Sequence, residues 1–128
     1  MHYLLDTHTL LWFLDDDPQL PEKVKEEIIN INNNCFVSIA SLWEIAIKVK
    51  IGKLTIKFPF EKFADYFSAN EIELLPISLD HLTQLLNMDF HHRDPFDRII
   101  IAQSRVEQLT ILTRDEHFSS YTDRVMWK

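Results

Sequence analysis

Acidic residues follow several of the apolar segments in this sequence of 128 residues. Asp6 comes directly after MHYLL, Asp115 closes LTILTRD, and Glu44 lies shortly after CFVSIA. Asp94 and Asp97 open the segment DPFDRIIIAQS. Carboxylates ligate hard divalent cations or position an attacking water. Whether these five do so depends on whether the fold brings them together.

The apolar segments alternate between strand-like and helix-like patterns. Short β-branched and aromatic runs predict strands in MHYLLDT, CFVSIA, IELLPIS, LTILTRD and, weakly, DRVMWK. Apolar residues at helical spacing predict helices in HTLLWFLDDDPQL, LPEKVKEEIININNN, SLWEIAIKVKIGKL, FPFEKFADYFSAN, LDHLTQLLNM and DPFDRIIIAQSRVEQ. In the second of these, Pro21 is predicted at the first helical position, and in the third, Gly52 is predicted as the C-terminal cap. The fourth is predicted to be helical from Pro59 onward. This alternation predicts a single α/β domain over residues 1–128, with a mainly parallel sheet and helices on both faces.

The predicted topology brings the acids to one edge of the sheet. Asp6 and Asp115 end strands, and Glu44 lies in the first turns of a helix that follows a strand. Asp94 and Asp97 begin the helix that precedes LTILTRD. In a parallel α/β sheet, helices begin at the carboxyl edge of the strands, where ligands bind. We therefore expect these segments to meet at that edge.

Four or five carboxylates at one edge require a counter-charge, because an unpaired buried anion costs several kcal/mol. One or two divalent cations would supply it. Oxygen ligands without cysteine or paired histidine favour Mg²⁺ or Mn²⁺ over Zn²⁺. A carboxylate-held Mg²⁺ site is typical of phosphodiester hydrolysis.

Each acid also has a purely structural alternative. Asp6 would cap the first helix, and Asp115 would be an ordinary turn residue. Glu44 would complete a capping box with Ser41 in SLWE. These alternatives stay open for each acid taken singly.

The stretch HHRDPFDRII combines the two kinds of role. Asp94 stands before Pro95, which favours a helix N-cap over a metal ligand. Asp97 then occupies the third helical position, where the other acids favour its role as a ligand. The stretch therefore predicts a cap that sets where the helix begins, and a ligand held by that helix.

Basic residues near these segments offer a local rim for a phosphate backbone. The lysines concerned are Lys48, Lys50, Lys53 and Lys57, for which a solvated helix face is an equal alternative. The arginines, which we assign to substrate binding, are Arg93, Arg98 and Arg114. The histidines His8, His91 and His92 lack metal-ligand spacing, which favours surface or supporting positions.

Composition excludes several other classes of function. The net charge of −7 argues against a protein that grips nucleic acid with its whole surface, although it allows a local basic rim. Gly52 is the only glycine, which excludes the phosphate-binding loops of P-loop, Rossmann and kinase folds. The sequence has no GxSxG motif, and Cys35 falls in a predicted buried strand, so nucleophilic hydrolase chemistry has little support.

The sequence also bears on localisation. Its apolar runs fall far short of the roughly 20 residues that cross a membrane. The N-terminus lacks the basic region of a secretory signal, and a single cysteine fits a reducing compartment. We expect a cytoplasmic protein that does not bind a membrane.

Four segments in order resemble the successive motifs of PIN-domain ribonucleases, specifically the VapC-like toxins of bacterial toxin–antitoxin pairs. They are YLLDTHTLLW, VSIASLWEIAIKVKIGKL, HHRDPFDRIIIAQS and ILTRDEHF, which span Tyr3 to about Tyr121. The resemblance implies a three-layer α/β/α sandwich and Mg²⁺- or Mn²⁺-dependent endonucleolytic cleavage of RNA. It also implies a homodimer and inhibition by a cognate antitoxin protein.

The resemblance places the family's acids on particular residues. Its catalytic and metal-binding set falls on Asp6, Glu44, Asp97 and Asp115, and Asp94 is similar to an additional acid of this subgroup. Thr7 and Thr113 match hydroxyls that orient a ligand or a water. No acid of the pattern is missing, so the resemblance implies an active enzyme.

Other classes of function fit the sequence less well. A phospho-accepting receiver domain needs an acidic pair after the first strand and a lysine after a late strand, whereas Asp6 stands alone and LTRD has no lysine. A phosphotransferase with an aspartate nucleophile needs a second acid where this chain has His8. A metal-binding or protein-binding module without nuclease activity, in which the acids only cap helices, remains the alternative.

Overall fold

The computed structural model describes residues 1–89, 94–122 and 124–127. Strands and helices alternate along these residues as the sequence predicts. The elements are β1 (His2–Leu5), α1 (Thr7–Leu14), α2 (Glu22–Ile29), β2 (Asn34–Ser38), α3 (Ile39–Lys50), α4 (Phe63–Ala69), β3 (Ile72–Leu75), α5 (Leu79–Leu86), α6 (Pro95–Glu107), β4 (Thr110–Leu112) and β5 (Val125–Met126). Short 3-10 helices cover Phe60–Lys62 and Glu116–Ser120. None of the helices described is long and apolar enough to traverse a bilayer.

Within the part of the chain that the structure describes, the sheet has five strands in the order β3-β2-β1-β4-β5, and every strand pair is parallel. β1 lies in the centre, where Leu5 pairs with Val37 of β2 on one side and with Leu112 of β4 on the other. The chain therefore leaves the middle of the sheet at Asp6, between the ends of two neighbouring strands. The predicted parallel sheet is confirmed.

Helices cover both faces of the sheet. Alternate residues of β1 point to opposite sides, so Tyr3 and Leu5 belong to one apolar cluster and Leu4 to another. The first cluster includes residues of α1 to α4, among them Leu10, Val24, Ile45, Phe63 and Phe67. The second includes Ile100, Ile101 and Ala102 of α6, with Leu85 of α5 at its margin. This is the expected three-layer α/β/α arrangement.

Several boundaries differ from the predicted ones. The strand predicted for CFVSIA ends at Ser38, because the Ser38 hydroxyl accepts a hydrogen bond from the Ala40 N–H at 3.0 Å and caps α3. Pro21 is the residue before α2 rather than its first helical residue. β4 ends at Leu112, so Asp115 lies beyond the strand rather than at its end.

The predicted cap at Gly52 is confirmed. Gly52 has a φ of +77°, and its N–H donates to the Val49 carbonyl at 3.2 Å. The Lys53 N–H donates to the Lys48 carbonyl at 2.9 Å. These two bonds close the last turn of α3 as a Schellman motif.

We expect Gly52→Ala to lower the free energy of unfolding by about 1 kcal/mol through the left-handed backbone alone. Apart from Gly52 and its two chain neighbours, no heavy atom of the residues described lies within 4 Å of the position that a Cβ would take, so crowding adds nothing. Urea unfolding measures this loss, and Gly52→Asn should lose less because asparagine tolerates this conformation. Equal losses in the two variants would contradict the explanation.

Candidate active site

Asp6 lies at the end of the central strand and is 7% exposed. Its Oδ1 accepts a hydrogen bond from the Thr9 N–H at 2.8 Å, so it caps α1, and its Oδ2 accepts one from the Thr113 hydroxyl. Burial raises the pKa of Asp6, whereas the hydrogen bonds from Thr113 and Thr9 act in the opposite direction. Asp6 therefore caps the first helix, as the structural alternative predicted. The same side chain is also a buried acid, whose charged form a nearby cation would stabilise.

Asp115 is linked to Asp6 through hydrogen bonds that both residues make with Thr113. The Thr113 hydroxyl that donates to Asp6 also accepts a hydrogen bond from the Asp115 N–H at 3.0 Å. The Asp115 carboxylate caps the 3-10 helix that follows, accepting from the His117 N–H at 2.9 Å and lying 2.8 Å from His117 Nδ1. Because β1 and β4 are neighbours, one buried hydroxyl, that of Thr113, links the segments that carry these two acids.

Asp6 and Asp115 line the same cavity. Its volume is about 310 Å³, and the other lining residues are His8, Trp12 and Arg114. The cavity opens beyond the carboxyl ends of β1 and β4, the edge at which parallel α/β sheets bind ligands.

Glu44 is a buried acid on α3, with only 4% of its surface exposed. Its Oε1 accepts a hydrogen bond from the Thr7 hydroxyl at 2.7 Å, and its Oε2 lies 2.7 Å from the Lys48 Nζ. The proposed capping box with Ser41 is wrong, because α3 begins at Ile39 and Ser41 is a buried residue within it. Thr7 follows Asp6 directly, so it connects Glu44 to the acid at the end of β1.

Asp94 and Asp97 begin α6. Asp94 caps the helix, accepting from the Phe96 N–H at 2.9 Å and the Asp97 N–H at 3.4 Å. The Phe96 ring packs edge-on against Trp43 of α3, with ring centroids 5.2 Å apart. This contact holds the start of α6 beside the helix that carries Glu44.

Lys48 joins the two helices electrostatically. Its hydrogen bond to Glu44 raises the pKa of Lys48, and the charges of Glu44, Asp94 and Asp97 add to the increase, while partial burial opposes it. An ammonium group therefore supplies counter-charge to three of the acids. Sequence reasoning placed Lys48 in a basic rim or on a solvated face, although its spacing of four residues from Glu44 could have indicated the pair.

Residues 3–123 match the family model of the PIN domain. The chain belongs to the PIN domain family. The resemblance carried by the four sequence motifs is thus confirmed at the level of the family.

Solved structures of the same fold come from toxin–antitoxin complexes. VapBC2 from Rickettsia felis, bound to a DNA fragment from its promoter, matches with a TM-score of 0.68 and 17% identity over 98% of this chain and 96% of that chain. DNA-bound VapBC from Salmonella typhimurium matches with a TM-score of 0.69 and 16% identity over 100% and 99%. A toxin–antitoxin complex from Klebsiella pneumoniae matches with a TM-score of 0.63 and 17% identity over 97% and 95%. Comparison with curated proteins gave no match.

In this PIN domain the acids form two groups. Asp6 and Asp115 share a cavity, whereas Glu44 pairs with Lys48, whose pKa the charges of Asp94 and Asp97 also raise. Within residues 1–89, 94–122 and 124–127, no three His, Cys, Asp or Glu side chains are grouped so that they could hold a metal ion. The carboxylate oxygens of these acids still suit a hard cation such as Mg²⁺ or Mn²⁺.

The arginines assigned to substrate binding lie in different places. Arg114 lines the cavity of the PIN domain that contains Asp6. Arg98 lines a separate apolar groove of about 320 Å³ together with Trp43 and Phe96. Arg93, like His91 and His92, lies outside the residues that the structure describes.

Proposed function

We propose that this PIN domain is a Mg²⁺- or Mn²⁺-dependent endoribonuclease. The observation that carries the proposal is the shared cavity of Asp6 and Asp115 at the carboxyl edge of a parallel sheet. Family membership and the presence of all four acids of the motif pattern add to it. The carboxylates would hold the cation, and the cavity would admit an RNA phosphodiester.

We assign the metal ligands from the motif resemblance, because Asp6 and Asp115 are the only acids among the residues described as lining the cavity. The proposed ligands are Asp6, Asp97 and Asp115, with Glu44 as a further ligand or as the residue that positions the attacking water. A bound divalent cation would lower the pKa of that water and stabilise the leaving oxygen. Thr113 would hold Asp6 in orientation through the hydrogen bond described above, and Thr7 would do the same for Glu44. Asp94 would act mainly as the helix cap.

We expect RNA cleavage by the purified protein to require a divalent cation. Cleavage with Mg²⁺ or Mn²⁺ should stop when EDTA is in excess and return when the cation is restored. Mapping new 5′ ends in total RNA measures this and identifies the cleavage sites. Cleavage at an unchanged rate in EDTA would contradict the proposed cofactor.

We further propose that the protein acts in the cytoplasm as the toxin of a toxin–antitoxin pair, as a homodimer held inactive by a cognate antitoxin. The toxin role and the antitoxin partner are supported by three solved structures of this fold that are described as VapBC or toxin–antitoxin complexes. Expression of the protein alone should arrest growth of a bacterial host, and co-expression of the antitoxin from an adjacent reading frame should relieve the arrest. Sedimentation of the purified protein tests the dimer.

A metal-binding or protein-binding module without nuclease activity is the second candidate. The version in which the acids have only structural roles is favoured by the ion pair of Lys48 with Glu44 and by the capping roles of Asp6, Asp94 and Asp115. Titration calorimetry with Mn²⁺ separates the candidates. Saturable binding with RNA cleavage supports the nuclease, binding without cleavage supports a metal-binding module, and absence of binding supports a module whose acids only cap helices.

A further inference from the structure

The cavity of Asp6 and Asp115 has an aromatic and cationic wall that the proposed hydrolysis does not use. The ring of His8 lies 5.7 Å from that of Trp12, measured between centroids. The guanidinium carbon of Arg114 lies 4.7 Å from the Trp12 ring centroid. These three side chains, which we call the stacking wall, line the cavity together with the two acids.

The stacking wall is held in place by the fold. His8 and Trp12 are four residues apart on α1, so they lie on the same face of a helix that begins directly after Asp6. Trp12 is half-buried and packs against Trp127, with ring centroids 5.8 Å apart. Arg114 is exposed and is oriented by its hydrogen bond to the Gln19 side chain at 3.3 Å. The wall therefore offers planar groups in a fixed position beside the acids.

We propose that the stacking wall binds one unpaired nucleobase of the RNA, next to the phosphodiester that is cut. This inference rests on the proposed endoribonuclease function. Aromatic rings and guanidinium planes stack on bases of any sequence, provided that the base is not already stacked in a duplex. The base bound by the stacking wall would therefore come from a loop or another unpaired segment of the RNA.

The charge of the protein supports stacking as a source of affinity. A net charge of −7 opposes strong binding through phosphates alone, and the cavity floor itself carries two acids. Stacking contributes affinity without requiring a large basic surface. Arg114 adds one positive charge at the point where the RNA backbone would pass the acids.

The test measures binding of a fluorescently labelled, unstructured RNA in an Asp97→Asn background, so that cleavage does not interfere. We expect Trp12→Leu to weaken binding about tenfold, whereas Trp12→Phe keeps most of the affinity. Tyr66→Leu is the matched control, because Tyr66 is an aromatic residue of α4 that is 39% exposed and is not among the residues that line the cavity. A thermal melt of each variant checks that it is folded.

A second pair of variants replaces exposed side chains and leaves the apolar core unchanged. Arg114→Gln should weaken binding several-fold. Arg124→Gln should not, because Arg124 is an exposed residue just before β5, at the amino ends of the strands and away from the cavity. Probes with a single abasic nucleotide then locate the base. At one position of the probe, the missing base should weaken binding to the Asp97→Asn protein. The same missing base should not weaken binding to the protein that also carries Trp12→Leu, because the base and Trp12 are the two partners of one contact.

The outcomes separate this proposal from the proposed function. If Trp12→Leu and Arg114→Gln bind RNA as well as their controls, the stacking wall is wrong while the nuclease stands. If the parent protein neither binds nor cleaves RNA, the endoribonuclease proposal fails and the stacking wall fails with it. A probe that binds equally well as a duplex would also overturn the assignment to unpaired bases.

Discussion

Asp6→Asn should lower the rate of RNA cleavage by at least about a hundredfold without loosening the fold. The substitution keeps the shape of the side chain and an oxygen for the Thr9 N–H, but removes the negative charge that would hold the cation. Because burial raises the pKa of Asp6, its ionised form destabilises the folded state at neutral pH. The variant should therefore melt close to the temperature of the parent, because removal of the buried charge offsets the loss of the Oδ2 acceptor for the Thr113 hydroxyl. Cleavage assays with Mn²⁺ and thermal unfolding measure the two effects.

The controls for this prediction come from the same chain. Asp15→Asn, at an exposed acid at the other end of α1, should leave cleavage and melting unchanged. Asp97→Asn should abolish cleavage as Asp6→Asn does, although Asp97 does not line the same cavity. Normal rates in both the Asp6 and Asp97 variants would overturn the assignment of the metal ligands.

Regular periodicity was sufficient to predict the layers of the fold. The β-branched runs and amphipathic segments predict the alternation that the structure has, and Asp6 does follow the strand that lies at the centre of the sheet. Boundaries were less certain where apolar residues continue through them. In CFVSIA, residues on both sides of Ser38 are apolar, so the pattern alone does not show that Ser38 ends the strand and caps α3.

Side-chain pairing in the site depends on information that local patterns do not contain. Thr113 can link Asp6 and Asp115 only because β1 and β4 are neighbours, and strand order does not follow from periodicity. Lys48 and Glu44 have the spacing of an ordinary surface ion pair. The importance of this ion pair depends on the burial of Glu44, which follows from the packing of α3 against α1 and α6.

Capping and catalysis need not compete for the same residue. Asp6, Asp94 and Asp115 each accept a backbone N–H at the start of a helix or 3-10 helix. A cap fixes the carboxylate relative to the helix, while a carboxylate has further lone pairs for a cation. In a parallel sheet, helix starts and strand ends lie at the same edge, so capping acids are brought close to a ligand there.

Lys48→Met should lower the free energy of unfolding by about 1–2 kcal/mol in the absence of divalent cations. The substitution leaves the buried Glu44 carboxylate with the Thr7 hydroxyl but without its ammonium partner, and close to the charges of Asp94 and Asp97. The loss stays moderate because the Lys48 side chain is 40% exposed, so water already screens the pair. Urea unfolding in EDTA measures this difference. Lys50→Met, at an exposed lysine of the same helix, should have little effect.

Addition of Mn²⁺ should then stabilise the Lys48→Met protein more than the parent. In the parent, a cation that binds Glu44 must compete with an ammonium group 2.7 Å away, whereas in the variant the cation replaces the missing charge. Calorimetry should accordingly show tighter Mn²⁺ binding to the variant, and Lys48→Arg should behave like the parent because it keeps the charge. Equal Mn²⁺ affinities in all three proteins would mean that Glu44 does not ligate the cation. Glu44 would then be assigned the water-positioning role, because in that role its carboxylate can stay paired with Lys48 and does not bind the cation directly.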